Sequence, residues 1–328
     1  MASISNAITT PFLLKAVICL GIPDILGRES PLHYNQIAAK INPSDPNPDV
    51  VRRILQSLVR NKIFCEDPSG FFSHNNLSST LVSSKNIHAM VMLQTSQPMV
   101  ASYSEIHKLA LGGSHESAFE VANEGKSLYQ YASHNLGFSK MFRAAISETS
   151  ERFMGAAIKE ARKAFEGIKG VIVDVGGGHG ACVHKIVQDY PHLKGINFDL
   201  PDVVAAAPQY PGIEHVGGDM FKGVPSGDAI FMKAVLHNWN DKNCKRILQN
   251  CYKALPENGK LVVVEEVLDP AEKRPVDMDV LMLAAIGGKE RSENEWNELL
   301  ASEGFANISL SLTSSNDLQV VIEAYKCT

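Results

Sequence analysis

The stretch Asp174-Val175-Gly176-Gly177-Gly178-His179-Gly180 has the composition of a ligand-holding turn. Its glycines allow a tight backbone turn and let a ligand approach without a Cβ in the way. A glycine loop alone does not select the ligand, because dinucleotide-binding enzymes use one too. Three features separate the possibilities. Asp174 precedes the glycines, where the nicotinamide fingerprint carries no acidic residue. The spacing is Gly176-x-Gly178-x-Gly180 rather than G-x-G-x-x-G. Two later apolar runs also end in acids, Asp199 in "FDLP" and Asp219 in "GGDMF". A carboxylate at the second strand suits a ribose diol, and one at the third suits an adenine region. That set fits S-adenosylmethionine, which has no pyrophosphate to seat at a helix N-terminus, and points to a methyl-transferring enzyme.

A second set of residues could move a proton. His237 lies in Lys233-Ala234-Val235-Leu236-His237-Asn238-Trp239-Asn240-Asp241, at the carboxyl end of another apolar run. Histidine titrates near ~6.5 when unperturbed, which suits a proton acceptor at physiological pH. A phenol titrates near ~10, so its proton would leave as the oxygen attacks rather than beforehand. Trp239 could stack on an adenine. Asp241 is a suitable N-cap for the helix that follows. Glu265 in "VVVEE" and Glu290 in "GGKER" could orient the imidazole. The plainer alternatives are a strand-end charge for Glu265 and a surface ion pair with Lys289 or Arg291 for Glu290.

The elements needed to position these groups can be read on either side of Phe165 to Gly170. Downstream, "GVIVDV", "KGINFDL", "GIEHVGGDM", "DAIFMKAVL" and "GKLVVVEEVL" are continuous apolar strands separated by helical segments. One such helix carries Val183, Ile186 and Val187. This is the pattern of a parallel sheet buried on both faces, whose ligands bind beyond the carboxyl ends of the strands. At the end, "NISLSLTS" and "LQVVIEAYK" read as two strands joined by a polar turn at Ser315-Asn316-Asp317. An antiparallel hairpin closing a parallel sheet is the class I methyltransferase arrangement, an α/β Rossmann-like fold. Residues 166–328 are therefore expected to form the cofactor-binding domain.

Residues 1–165 read as helices. Apolar residues recur at helical spacing over Phe12 to Leu26, over Tyr34 to Ile41 and over Pro48 to Ile63. In the third segment Val50, Val51, Ile54, Leu55 and Leu58 share a face, with Arg52, Arg53 and Arg60 mostly off it. Asn47 is a suitable cap, with Pro48 at the first helical position. "FCEDPSGFFSHN" follows, two extended pieces around the turn Asp67-Pro68-Ser69-Gly70. Helix, helix and β-wing is the winged-helix order, which often binds DNA. The mixing of arginines with an apolar face, and Glu66 and Asp67 at the wing, favour packing or dimerisation instead.

The chain of 328 residues suits two domains, and 45% hydrophobic with 20% charged residues is a globular balance. A net charge of -5 and a pI near 6.1 argue against a nucleic-acid surface as the main purpose. Six cysteines without a Cys-x-x-Cys pair read as reduced thiols. The apolar stretch Pro11 to Ile22, interrupted by Lys15, falls short of the ~20 residues of a membrane span. With no basic n-region or cleavage site, a cytoplasmic protein is expected.

The sequence resembles the plant small-molecule O-methyltransferases, which include the caffeic acid and flavonoid enzymes. The likeness runs in order through "LGIPDIL", "DVGGGHG", "FDLPDVV", "GGDMF", "MKAVLHNWND", "GKLVVVEEVL" and "GGKER". It implies a general base at His237 flanked by Glu265 and Glu290, and no metal. With the motif reading, it assigns cofactor contacts to Asp174, Gly176, Gly178, Asp199, Leu200, Asp219, Met220, Lys233 and Trp239. It makes the winged-helix half a homodimerisation module that contributes to the partner's acceptor pocket. Phe138 and Phe142 match aromatic pocket residues, and Leu93, Gln94, Ile146, Thr149 and Met282 fall near lining positions. The caffeic acid enzymes carry a histidine near Thr149 and an asparagine near Gln94. Their absence disfavours a monolignol acid and leaves flavonoids, stilbenes, lignans and alkaloids open. His179 stands where most members have threonine, and the chain starts inside the family's first helix, which is expected to weaken the dimer or open the pocket. An N-methyltransferase, or a relative doing non-methylating chemistry on the same cofactor, are the alternatives.

Overall fold

The computed structural model describes residues 7–41, 45–83, 87–112, 114–146, 162–268, 277–312 and 319–327. The chain divides into two compact units, Met1–Ser104 with Lys126–Arg152, and Glu105–Gly125 with Phe153–Thr328. Residues 105–125 thus belong with the C-terminal unit, where a single cut near Phe165 leaves them in the N-terminal one.

In the first unit the apolar stretch over Phe12 to Leu26 is broken into two helices, Thr9–Cys19 and Ile22–Arg28, that meet at 59°. The break falls at Gly21, whose φ of 66° is a left-handed conformation open to glycine. No single helix among the described residues is long and apolar enough to cross a membrane. Helix Pro48–Arg60 starts as its sequence predicts, with Asn47 Oδ1 accepting from the Asp49 and Val50 N–H groups and Pro48 in the first turn. Val51, Leu55 and Leu58 are buried on its inner face, but Val50 is exposed. The wing is a hairpin of β2 (Phe64–Glu66) and β3 (Phe71–His74), with Asp67 Oδ1 accepting from Ser69 and Phe71 N–H across the turn. A two-residue strand, β1 (Leu32–His33), pairs with β3 and completes a three-stranded sheet.

The second unit is built on one sheet. Its strands are β4 (Val171–Val175), β5 (Lys194–Asp199), β6 (Ile213–Gly217), β7 (Ala229–Lys233), β8 (Lys260–Leu268), β10 (Phe305–Leu312) and β11 (Gln319–Lys326). Their order is β10-β11-β8-β7-β4-β5-β6, and the two-residue β9 (Arg291–Ser292) pairs with β8. The strands from β4 to β8 pair in parallel, and β11 runs antiparallel to both β8 and β10. This is the parallel sheet closed by an antiparallel hairpin that the sequence predicts. The turn expected at Ser315, Asn316 and Asp317 lies outside the described residues.

Alternation along the strands explains the continuous apolar runs. Val173, Val175, Ile230, Met232, Leu261 and Val263 enter one core, packed by helices Asp241–Ala254 and Glu293–Ser302. Ile172, Ala229, Phe231, Val262 and Val264 enter the other, with Val183, Ile186 and Val187 of helix Ala181–Asp189. Both faces are buried, so neither parity of position is polar. Each fully buried side chain of this kind contributes about 1.5–3 kcal/mol relative to exposure. Two sequence expectations need correction here. Glu265 does not end its strand but lies inside β8, opposite Val320. The cap of helix Asp241–Ala254 is Asn240, whose Oδ1 accepts from Asn243 N–H, and Asp241 is its first residue.

Candidate active site

The glycine loop leaves β4 at Gly176 and enters helix Ala181–Asp189 at Gly180. Gly176, Gly178 and Gly180 take φ of 74°, 58° and 82°, which only glycine adopts without strain. The loop is tied to the end of β5. Gly176 N–H donates to Phe198 O at 2.8 Å, and Gly178 N–H donates to Asp199 Oδ2 at 2.8 Å. Asp199 Oδ1 accepts from Leu200 N–H at 2.7 Å, and the Leu200 side chain stays 57% exposed. Just past β6, Asp219 Oδ1 accepts from Phe221 N–H at 2.9 Å, with Lys222 Nζ 3.5 Å from Oδ2. Asp199 and Asp219 are both half-buried, and each carboxylate oxygen keeps a lone pair for a hydroxyl or amine.

This set of acceptors fits the ribose diol and adenine amine of S-adenosylmethionine. The Cα of Gly178 faces open space, with nothing within 4 Å of where a Cβ would stand, so a ligand can lie against it. Lys233 is half-buried at the end of β7. Trp239 packs edge-on against Phe221 at 4.9 Å, Asn250 Nδ2 donates to Met220 O at 2.8 Å, and Arg246 lies 5.2 Å from the Phe221 ring centroid. Helix Asp241–Ala254 thereby braces the Asp219–Phe221 loop. Asp174 is placed differently from the other two acids. It is buried under the glycines, and its burial pushes the carboxyl up to about 7. His179 is exposed.

His237 sits in the turn Leu236–Asn238 beyond β7, after Ala234 at a φ of 52°. Its Nδ1 is 2.8 Å from Glu290 Oε1 and 3.7 Å from Glu265 Oε2. With a hydrogen on Nδ1 donated to Glu290, the free lone pair is on Nε2. Glu265 does more than face the ring. Its Oε1 accepts from the N–H groups of Val235, Leu236 and His237, at 3.0, 2.8 and 3.4 Å. Glu290 is held in turn by its own N–H, which donates to Asp279 Oδ1 at 2.9 Å. The same three side chains place ligand atoms within 4.8 Å of one another, close enough to surround a cation.

Burial works to lower the imidazole pKa, but Glu265, Glu290 and Glu266 outweigh it and push His237 up to about 9. Burial moves Glu265 upward as well, against the attraction of His237. The surrounding carboxylates therefore favour the charged ring at neutral pH, where the sequence alone predicts the unperturbed histidine value. A base with this pKa has only about one part in a hundred of its free lone pair at pH 7. The rate constant kcat/KM for an acceptor is thus expected to rise with pH above the ordinary histidine range and level near 9, as read from a pH–rate profile. Stability moves the other way. A raised pKa contributes fully below the unfolded value of ~6.5 and is lost as pH rises through the folded one.

Arg291, which the sequence suggested only as a surface partner of Glu290, is fully buried. Its guanidinium donates to Asp241 Oδ1 at 2.8 and 3.0 Å, to Leu236 O at 3.2 Å and to Trp239 O at 2.9 Å. It therefore grips the His237 turn from both sides. Lys289 pairs with Glu295 rather than Glu290, and its N–H donates to His237 O at 3.0 Å. Gly288 leaves no room for a Cβ, which would overlap that same His237 carbonyl. The visible signal for this region was "SENE", a capping box in which Ser292 and Glu295 exchange hydrogen bonds.

The residues expected to line an acceptor pocket fall in different surroundings. In the first unit, Phe138 is buried and stacks parallel to Phe142 at 6.4 Å, with Tyr131 and Tyr129 edge-on to them. Ile146 is 48% exposed, Leu93 is buried in helix His88–Gln94, and Gln94 is half-buried. In the second unit Met282 is half-buried on helix Asp277–Ala285, and its carbonyl accepts from Ile286 and Gly288 N–H. Thr149 lies outside the described residues.

Comparison with known proteins matches two successive parts of the chain. Residues 2–84 match the model of an O-methyltransferase dimerisation domain, and residues 103–306 match that of an O-methyltransferase domain. The chain is 37% identical to a bergaptol O-methyltransferase of Kitagawia praeruptora, covering 92% of this chain and 89% of that protein. It is 37% identical to a caffeic acid 3-O-methyltransferase of Rosa chinensis, covering 95% and 90%. It is 36% identical to an (R,S)-reticuline 7-O-methyltransferase of Papaver somniferum, covering 95% and 92%. Among solved structures, CalO1, a methyltransferase in calicheamicin biosynthesis in its SAH-bound form, superposes with a TM-score of 0.84 at 25% identity, covering 99% and 97%. Human N-acetylserotonin methyltransferase, in complex with SAM, gives 0.84 at 22% identity, covering 100% and 96%, which is a likeness of fold.

Proposed function

The chain belongs to the plant-type small-molecule O-methyltransferases, which depend on S-adenosylmethionine, and we propose that it methylates a phenolic hydroxyl of a small aromatic plant metabolite with His237 as general base. The observation that carries the base assignment is the Nδ1 hydrogen bond to Glu290, which leaves Nε2 as the proton-accepting atom. Relatives named for bergaptol, caffeic acid and reticuline support an aromatic hydroxyl as acceptor. The dimerisation-domain match supports a homodimer.

When bound, S-adenosylmethionine supplies an activated methyl group on a sulfonium that is a good leaving group. The chain's own part is positioning and proton transfer. Asp199 and Leu200 at the end of β5, with Asp219 and Met220 past β6, would hold the ribose and adenine. Gly176 and Gly178 would line the approach, with Lys233 and Trp239 at the end and beyond β7. His237 Nε2 accepts the hydroxyl proton as the acceptor oxygen becomes the nucleophile. Glu290 and Glu265 lie close enough to balance the imidazolium that results. Alignment of the acceptor oxygen is the larger demand, since the leaving group needs little help.

The test is a panel of phenols, with coumarin, flavonoid and alkaloid skeletons, incubated with methyl-labelled S-adenosylmethionine. Label in an O-methyl product is expected, and label found only in an amine product overturns the oxygen assignment. For the cofactor set, Asp199→Ala is expected to weaken S-adenosylhomocysteine binding about 10- to 100-fold. A hydrogen bond to a charged group is worth about 1.5–3 kcal/mol, and each ~1.4 kcal/mol is tenfold. Isothermal titration measures it, and an unaltered Kd rules out the ribose role.

A further inference from the structure

Asp174 is a buried acid beneath the glycine loop. It sits on β4 directly opposite Asn197 of β5, and both side chains are buried. Asn197 Nδ2 uses both of its hydrogens, one to Gly178 O at 2.9 Å and one to His215 Nδ1 at 3.0 Å. His215 can accept there because its Nε2 faces Pro208 O at 3.0 Å, so the ring carries its hydrogen on Nε2. The orientation of the amide is thereby fixed, and Asn197 Oδ1 must point the other way. Among the described residues, neither Asn197 Oδ1 nor Asp174 Oδ2 has a hydrogen-bond partner. A Cβ placed on Gly177 would lie 2.6 Å from Asp174 Oδ2 and closer still to Asn197 Oδ1, so both oxygens crowd the same spot under the loop.

Two acceptor oxygens that face the same spot in a buried site repel, and each is left without the hydrogen bond it would have in water. One proton between them removes both penalties. We propose that Asp174 acts as an uncharged carboxylic acid donating to Asn197 Oδ1, and that this acid–amide–imidazole chain is the positioning device that sets the glycine loop. Through Gly178 O and Gly177 the chain fixes the backbone on which the cofactor would lie. Asp174 is then a positioning residue rather than a cofactor contact. The inference rests on reading the loop as the cofactor site.

The surroundings agree. Burial is the largest influence on the carboxyl and favours the neutral form, as does the charge of Asp199 at the end of β5. The Val183 N–H and the Lys233 ammonium at the end of β7 act against it. Cys182, on the helix after the loop, has its thiol pushed up to about 12 chiefly by burial, so it adds no charge at neutral pH.

The experiment compares the full-length protein with Asp174→Asn and Asp174→Leu, by calorimetric binding of S-adenosylhomocysteine and by infrared difference spectroscopy. The asparagine amide can donate to Asn197 Oδ1 as the acid does. Its Kd is therefore expected within about threefold of the parent's at about pH 6, and leucine is expected to raise Kd about tenfold or more. The parent's affinity should fall as pH rises through about 7, and the Asn variant should lack that fall. A protonated-carboxyl stretch at about pH 6 should be present in the parent and absent from Asp174→Asn. If asparagine weakens binding as much as leucine, or if no such stretch is lost, Asp174 works as a carboxylate and the proposal fails. The spectrum needs no ligand, so it decides the proposal even if leucine does not fold. Failure of the parent to bind S-adenosylhomocysteine would instead sink the reading of the loop.

Discussion

His237→Ala is expected to lower kcat for a phenolic acceptor by about 10²–10⁴-fold, the usual contribution of a positioned general base. The Kd for S-adenosylhomocysteine should stay within about threefold, because the His237 hydrogen bonds among the described residues run to Glu265, Glu290 and Lys289 rather than to the glycine loop or Asp199, and the product carries no sulfonium charge. The substitution has a second consequence. Glu265 and Glu290 are both almost fully buried, and the imidazolium is the charge they share. Without it two carboxylates face one another, and one must take up a proton. Some loss of melting temperature is therefore expected from alanine, which could be mistaken for the cause of lost turnover. His237→Gln separates the two, since its amide N–H can still donate to Glu290 but it has no basic nitrogen. Single-turnover assays should find both variants equally slow and the Gln variant more stable. Turnover restored in His237→Gln would remove His237 as the base and leave it an orienting group.

What could be read in the sequence was whatever repeats along one segment. The parallel strands were legible because both faces of the sheet are buried, as Val173 and Ile172 show by entering opposite cores. The cap at Asn47 was legible because the side-chain acceptor and Pro48 are adjacent. Features decided by distant partners were not. The strands β1 and β9 have two residues each and exist only because β3 and β8 lie beside them. Asn240 and Asp241 are equally good caps by residue type. The choice falls to Asn240 because buried Arg291, fifty residues on, holds Asp241 Oδ1. The site divides in the same way. Its strand-end acids and His237 could be picked out by position along the chain. The burial of Asp174, the grip of Arg291 and the upward shift of His237 depend on what the fold brings against them.

Glu265 is where the positioning and charge roles meet, and its variants should separate them. Glu265→Ala removes the acceptor of three N–H groups at the start of the His237 turn. Orphaned buried donors cost about 1–3 kcal/mol each, and breaking a buried ion pair costs about 3–5 kcal/mol. These overlap, so a loss of about 3–5 kcal/mol in stability is expected from chemical denaturation, with turnover falling as the turn loosens. Glu265→Gln keeps an oxygen for the Val235 and Leu236 N–H groups and should retain most of the stability. What it loses is the charge that most strongly raises the His237 pKa. Burial then counts for more, and the ascending limb of kcat/KM should move down from about 9 toward the ordinary histidine value. The Gln variant would thus hold more of its base in the free form at neutral pH, while giving the imidazolium less support during proton transfer. Its pH profile, measured beside that of the parent, decides between them. A limb that stays in place means the acid acts on the backbone alone, and a limb that moves down means its charge is felt at the ring.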